Sequence, residues 1–162
     1  MSRIQLRPAQ RDDIPLILGL IRELAEYEKL SEHVVADAAQ MAEHLFGSRP
    51  FAEVLIGELD GEPVGFALFF HNYSTFLGKP GIYLEDLYVR SSARGTGLGK
   101  ALLAELAHLA VSRGCGRLEW AVLDWNEPAL GFYHSLGARP QDDWTGYRLS
   151  GAALSELAQH AG

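Results

Sequence analysis

The stretch Arg94-Gly95-Thr96-Gly97-Leu98-Gly99-Lys100 decides the fold of this chain. A hydrophobic run from Gly81 to Val89 precedes it, and an apolar-periodic stretch to Arg113 follows. The order is therefore strand, glycine turn and long amphipathic helix, with Leu98, Leu102, Leu106, Leu109 and Ala110 on the inner face. Glycine enters left-handed backbone at no steric cost, so a turn built from it can aim successive N–H groups at one point. A helix start adds unpaired N–H groups and the positive end of a dipole, and the joint suits a diphosphate.

The spacing separates this loop from two other phosphate-binding loops. A P-loop requires G-x-x-x-x-G-K-[ST]. Gly95 and Gly99 lie too close together for that, and Ala101 stands where the magnesium-binding hydroxyl belongs. A dinucleotide fingerprint, G-x-G-x-x-G, opens a first βαβ unit. Here Lys100 takes the place of the third glycine, and antiparallel strands come first. A turn that only reversed the chain would carry an entropic cost of about 0.5–1 kcal/mol per glycine for no ligand.

Outward from the loop, Ile4–Arg7 alternates as a short strand. Asp12 or Asp13 caps a helix with Pro15 in its first turn, running to about Lys29. A second helix from Val35 to Phe46 stops at Gly47. Phe51–Leu59 and Pro63–His71 form a hairpin across Asp60-Gly61. Asn72–Pro80 reads as a polar loop before the strand that ends at Val89. Downstream, Arg117–Leu123 reads as a central strand, Asn126-Glu127-Pro128 starts a helix ending at Gly137, Trp144–Leu149 reads as a last strand and Ala152–His160 as a terminal helix. These elements give one α/β domain over residues 1–162, with a mixed, mostly antiparallel central sheet and helices on both faces.

Composition narrows the class. The chain has 162 residues, 48% apolar and 22% charged, with net charge −7 and one cysteine, Cys115. That balance describes a globular domain without a broad nucleic-acid surface. No apolar run approaches the roughly 20 residues of a membrane span, and the first residues lack a signal-peptide core. A cytoplasmic protein that attracts small cations is the expectation. The histidines, including His71 and His134, show no metal spacing, so no metal is expected.

Arg94-x-x-Gly97-x-Gly99 after a strand resembles the R/Q-x-x-G-x-G/A motif of the GCN5-related N-acetyltransferases, and the likeness covers nearly the whole chain. Tyr27-Glu28, Tyr83-Leu84-Glu85-Asp86, Trp125-Asn126-Glu127-Pro128 and Phe132-Tyr133-x-x-x-Gly137-Ala138 look like the diamine acetyltransferase branch. Glu28-Lys29-Leu30-Ser31 and Ala121–Asn126 are most similar to its thialysine type.

The resemblance implies acetyl-coenzyme A as cosubstrate and a homodimer. It places the diphosphate on Arg94, Gly95, Thr96, Gly97, Leu98, Gly99 and Lys100. It places the pantetheine arm along Leu87, Tyr88 and Val89, where a bulge would splay the strand, and further cofactor contacts at Asn126, Glu127, Pro128 and Ala129. Tyr27, Glu28, Glu85 and Asp86 are implied on the amine. Alkyl amines with a pKa near ~10 are mostly protonated at pH 7, so a proton must leave before or during attack. Glu85, through a water, is the expected base, Tyr133 the expected acid for the leaving thiolate, and a backbone N–H near Leu87 the expected donor to the acetyl oxygen. Lys29 opposes a highly charged polycation, and Asp142–Gly146 departs from the branch pattern. A non-catalytic acyl-CoA sensor and a peptide or protein N-acetyltransferase are the alternatives.

Overall fold

Asp60 and Gly61 both take left-handed backbone, with φ of 52° and 84°. This is the primed turn whose twist matches antiparallel strands. It joins β2 (Glu53–Leu59) to β3 (Glu62–Ser74), as their sequence implies. β1 (Ile4–Pro8) pairs antiparallel with β2, and β4 (Lys79–Val89) antiparallel with β3. β5 (Leu118–Trp120) runs parallel to β4, and the strand order is β1-β2-β3-β4-β5. The sheet is mixed and mostly antiparallel.

The computed structural model describes residues 2–162, in two compact units divided between Leu123 and Asp124. The first unit holds the sheet together with α1 (Ile14–Tyr27), α2 (Ala38–Phe46) and α3 (Leu98–Ser112). The second holds α4 (Glu127–Ser135) and α5 (Gly151–Ala158).

Side-chain alternation places the helices of the first unit on opposite faces of the sheet. Ile17, Leu20 and Leu24 of α1 cluster with Val54, Ile56, Phe66 and Tyr88, and Met41 and Leu45 of α2 pack against that cluster. The residues between, Gly57 and Gly65, face α3. A Cβ on Gly57 would lie 2.9 Å from Leu98 Cδ1, and one on Gly65 would lie 2.9 Å from the Tyr88 carbonyl oxygen. Strand glycines mark close approach, and these two seat Leu98, which is 1% exposed. The start of α3 is thereby held down on the sheet.

Several expectations are corrected. β5 is an edge strand of three residues, where a longer central one was expected. Apolar content reports burial between layers and carries no information on the neighbours within a sheet. Trp144–Leu149 forms no strand, and Trp144 and Tyr147 are 80% and 96% exposed. The turn at Asp142-Asp143 and the nearby Gly146 leave too short a run of strand-forming residues. Asn72–Ser74 and Lys79–Pro80, expected in a loop, continue the β3–β4 ladder. The Asp13 side chain makes no cap to α1. It accepts from both Arg7 Nη groups at 2.8 and 3.0 Å and from the Gln10 N–H at 2.7 Å. Asp37 is the acidic cap that does form, accepting from Gln40 N–H at 3.0 Å at the start of α2.

Replacing Gly65 with alanine drives a methyl group toward a backbone carbonyl that cannot turn away. Gly65→Ala is expected to lower stability by about 1–3 kcal/mol. Chemical denaturation that finds wild-type stability would show that Leu98 and the strand below it have room to yield.

Candidate active site

The site is built on a register break. Leu68 lies opposite Asp86 and Phe69 opposite Leu84, so Glu85 is one extra residue in β4. A bulge of this kind bends its strand and strengthens the local twist. Pairing between β4 and β5 ends at the same place, since Leu84↔Trp120 is its last rung. Beyond it, among the described residues, no strand pairs with the outer edge of Asp86–Val89. β4 therefore carries a bulge, at Glu85, and it coincides with an opening beside Leu87, Tyr88 and Val89. Only the backbone of Tyr88 is available there. Its ring is buried in the α1 cluster and its hydroxyl donates to Glu23 Oε1 at 3.2 Å.

Three carboxylates gather at the bulge. Asp86 is half-buried, and among the described residues its carboxylate has no hydrogen bond or ion pair. Burial, and then repulsion from Glu85 and Glu28, push its pKa up to about 6. Burial also raises Glu28, at the C-terminal end of α1. Glu85 is exposed; burial, and then the charges of Glu85 and Glu119, raise the Tyr83 hydroxyl. A half-buried carboxylate beside two others and lacking a cation has the electrostatics to accept a cationic ligand.

β4 runs from this cluster into the glycine loop. Gly95 and Gly97 have φ of 79° and 90°, which explains glycine at both. The loop is braced from within, the Thr96 hydroxyl donating to the Ala93 carbonyl at 2.6 Å. In α3 the Ala101 N–H reaches back to the Gly97 carbonyl at 2.9 Å. The N–H groups of Leu98, Gly99 and Lys100 precede that bond and have no partner within the helix. Gly99 has ordinary helical backbone, and a Cβ there would meet nothing closer than Val89 Cγ2 at 3.8 Å. Packing within the protein does not demand this glycine, and its absence of a side chain leaves the backbone open to close approach. Arg94 is exposed; its Nε donates to the Val89 carbonyl at 3.3 Å, and its guanidinium carbon lies 4.8 Å from the centre of the Tyr27 ring. Lys100 is exposed in the first turn of α3. Exposed cations, free N–H groups and a cleared backbone fit a diphosphate.

Tyr27 and Glu28, expected on the amine, share the first unit with Glu85, Asp86 and the loop. The cation on the Tyr27 ring is the chain's own Arg94, where a substrate ammonium was expected. Asn126 and Tyr133 belong to the second unit. Asn126 is 8% exposed and caps α4, accepting from the Ala129 N–H at 3.4 Å, with Glu127 and Pro128 completing the first turn. Tyr133 is half-buried on α4, its ring tilted against Phe132 at 5.6 Å.

Sequence reasoning passed over the supports. Arg90 holds Glu23 through Nε and Nη2 at 3.1 Å, tying the end of β4 to α1. Gly57 and Gly65 had a readable signal, since each interrupts an apolar strand beside the hairpin. Among the described residues no group of three or more His, Cys, Asp or Glu side chains is arranged to hold a metal ion, and no helix is long and apolar enough to cross a membrane.

A strand that parts from its neighbour and leads into an anion-binding helix start, with uncompensated carboxylates beside the gap, has the layout of an acyl-transfer site. Residues 19–138 match the acetyltransferase (GNAT) family, and the chain belongs to that family. It is an N-acetyltransferase. It is 41% identical over 169 residues to the thialysine N-epsilon-acetyltransferase of Bos taurus, an alignment that covers 98% of this chain and 99% of that protein. It is 34% identical over 201 residues to the L-ornithine N5-acetyltransferase of Arabidopsis thaliana, covering 96% and 87%. Among solved structures, an integron cassette protein from the mobile metagenome of V. cholerae superposes with a TM-score of 0.80 at 27% identity, covering 96% of this chain and 98% of that one. The family resemblance read from Arg94–Gly99 is thereby confirmed.

Two outcomes follow from the site. Gly99→Ala is expected to keep or raise stability, by about 0.5 kcal/mol through reduced freedom of the unfolded chain. The same change should weaken binding of a diphosphate-containing ligand; melting curves and calorimetric titration separate the two effects, and unchanged affinity would show that no ligand approaches Gly99. For Asp86, the folded pKa of about 6 lies above the usual 3.8. The folded state then holds the proton more tightly, so this group favours folding at low pH, and that preference is lost as pH rises through the window between those values. Asp86→Asn should therefore raise the melting temperature more near pH 7 than near pH 4; an equal gain at both would mean that ionisation of Asp86 costs the fold nothing.

Proposed function

We propose that this enzyme transfers an acetyl group from acetyl-coenzyme A to the terminal primary amine of a small basic amino acid of the ornithine or thialysine kind. The observation that carries the proposal is the cluster of Glu28, Glu85 and Asp86, short of cations, on the strand that leads into the diphosphate loop. The names of the bovine and plant relatives point to the same class of substrate. Lys29 follows Glu28 in the chain, and its positive charge opposes a highly charged polyamine. A cytoplasmic homodimer is part of the same reading.

Acetyl-coenzyme A supplies a thioester-activated acetyl group. Leu98, Gly99 and Lys100 offer their N–H groups to its diphosphate, aided by Gly95, Thr96, Gly97 and the side chains of Arg94 and Lys100. Leu87, Tyr88 and Val89 offer the open backbone edge of β4 to the pantetheine arm, and Leu87 N–H polarises the acetyl oxygen. Asn126, Glu127, Pro128 and Ala129 are assigned to further coenzyme contacts. Glu28 and Asp86 hold the substrate ammonium, whose charge offsets the burial and the repulsion that together raise Asp86. Glu85, open to solvent at the bulge, takes the proton through a water. Tyr133 protonates the departing sulfur.

Direct attack on the thioester is favoured over an acetyl-cysteine route by the position of Cys115. It lies past the far end of α3, a helix of 15 residues and so about 22 Å long, while the glycine loop sits at the near end.

The test is acetyl-CoA consumption across ornithine, thialysine, lysine, spermidine and short peptides. The highest kcat/KM is expected on a basic amino acid, with spermidine lower. Preference for a peptide N-terminus would overturn the substrate assignment, and coenzyme binding without turnover on any amine would return the chain to an acyl-CoA sensor.

A further inference from the structure

Arg94 is fixed at two points before any ligand arrives. Its Nε–H donates to the Val89 carbonyl at 3.3 Å, and its guanidinium carbon lies 4.8 Å from the centre of the Tyr27 ring. A guanidinium over an aromatic face is held by the ring quadrupole. Among the described residues neither Nη group has an acceptor, so the four N–H donors they carry remain for an anion. The side chain springs from the residue before Gly95, where the diphosphate loop begins. Tyr27 is the last residue of α1 and 37% exposed. α1 is itself anchored to the end of β4 through Glu23, which receives Tyr88 and Arg90 at 3.1 to 3.2 Å. The ring is therefore carried on a fixed support.

We propose that Tyr27 is a positioning residue for the diphosphate: its ring holds the Arg94 guanidinium flat, with both Nη groups presented to the phosphates at the mouth of the glycine loop. The proposal rests on the coenzyme A reading above. An unsupported arginine would have to lose its side-chain freedom when the anion binds, whereas a stacked one has already lost it. The face of Tyr27 occupied by Arg94 is also closed to a substrate ammonium, so the aromatic residue of the amine corner acts on the coenzyme side.

Calorimetric titration with coenzyme A and with S-acetylpantetheine, which lacks the diphosphate, separates the roles. Tyr27→Leu is expected to weaken coenzyme A about three- to five-fold, the range of an exposed cation–π contact, and to leave S-acetylpantetheine unchanged. Tyr27→Phe keeps the ring face and should keep wild-type affinity. In an Arg94→Ala background Tyr27→Leu should add no further loss, since the contact is already gone. Equal losses for both ligands, or a loss in Tyr27→Phe as large as in Tyr27→Leu, would overturn the proposal by making Tyr27 a general support of the fold. Wild-type coenzyme A affinity in Tyr27→Leu, with only the KM for amine changed, would overturn it by assigning the ring to the amine alone. If the unaltered chain binds no coenzyme A, the coenzyme reading itself fails and takes this proposal with it.

Discussion

Strand pairing has a period of two, so one inserted residue changes which side chains face which layer. Glu85 is that residue in β4. On the N-terminal side of it, Ile82 and Leu84 are buried and pair with β5; on the C-terminal side Tyr88 packs toward α1. Without the insertion the ladder to β5 would have no reason to end at Leu84, and Asp86 would not share an environment with Glu28. The opening in the sheet, the carboxylate cluster and the direction in which β4 enters the glycine loop all depend on this single register shift.

A loop that grips an anion must not drift when the anion leaves, and both ends of α3 are secured accordingly. At its start Leu98 sits in the space left by Gly57 and Gly65. Beyond its end Arg113 donates to both oxygens of Glu53 at 2.7 and 3.0 Å and to His71 Nε2 at 3.0 Å. His71 must then carry its proton on Nδ1, which lies 3.0 Å from the Gly81 carbonyl. One arginine thereby joins α3 to β2, β3 and β4. The bidentate pair is half-exposed, so its worth lies in orientation more than in net energy.

The parts of this layout that are local were legible in the sequence. Asp60-Gly61 demanded a primed turn, Gly95 and Gly97 demanded left-handed backbone, and the leucines of α3 repeat at helical spacing. The register was not legible, because it belongs to two strands at once. A bulge was foreseeable in β4, but only the pairing of Leu68 with Asp86 identifies Glu85 as the extra residue. The same limit misassigned β5 to the middle of the sheet and built a strand from Trp144–Leu149. The acidic residues Glu28, Glu85 and Asp86 stand out by motif, yet motif alone does not distinguish the exposed Glu85 from the half-buried Asp86. The stacking of Arg94 on Tyr27 joins residues far apart in sequence, and nothing in either stretch announces it.

Charge is distributed unevenly between the frame of the sheet and the bulge. Away from the glycine loop three arginines are paired with carboxylates: Arg7 with Asp13 and Glu58, Arg90 with Glu23, Arg113 with Glu53. Asp13 and Glu53 are held below the usual carboxylate range by those partners. At the bulge the shift has the opposite sign, since Glu28 and Asp86 are raised. A chain with net charge −7 has more acids than bases to pair, but the surplus need not fall on a half-buried residue. Placing it there costs stability in the free protein, a cost that a bound cation offsets by supplying the missing partner. The loop next to it shows the inverse arrangement, with N–H groups and two Arg94 nitrogens lacking acceptors. Two uncompensated sets of opposite sign on adjoining stretches of one strand and loop are the electrostatic requirement for bringing a cationic amine and an anionic donor to the same place.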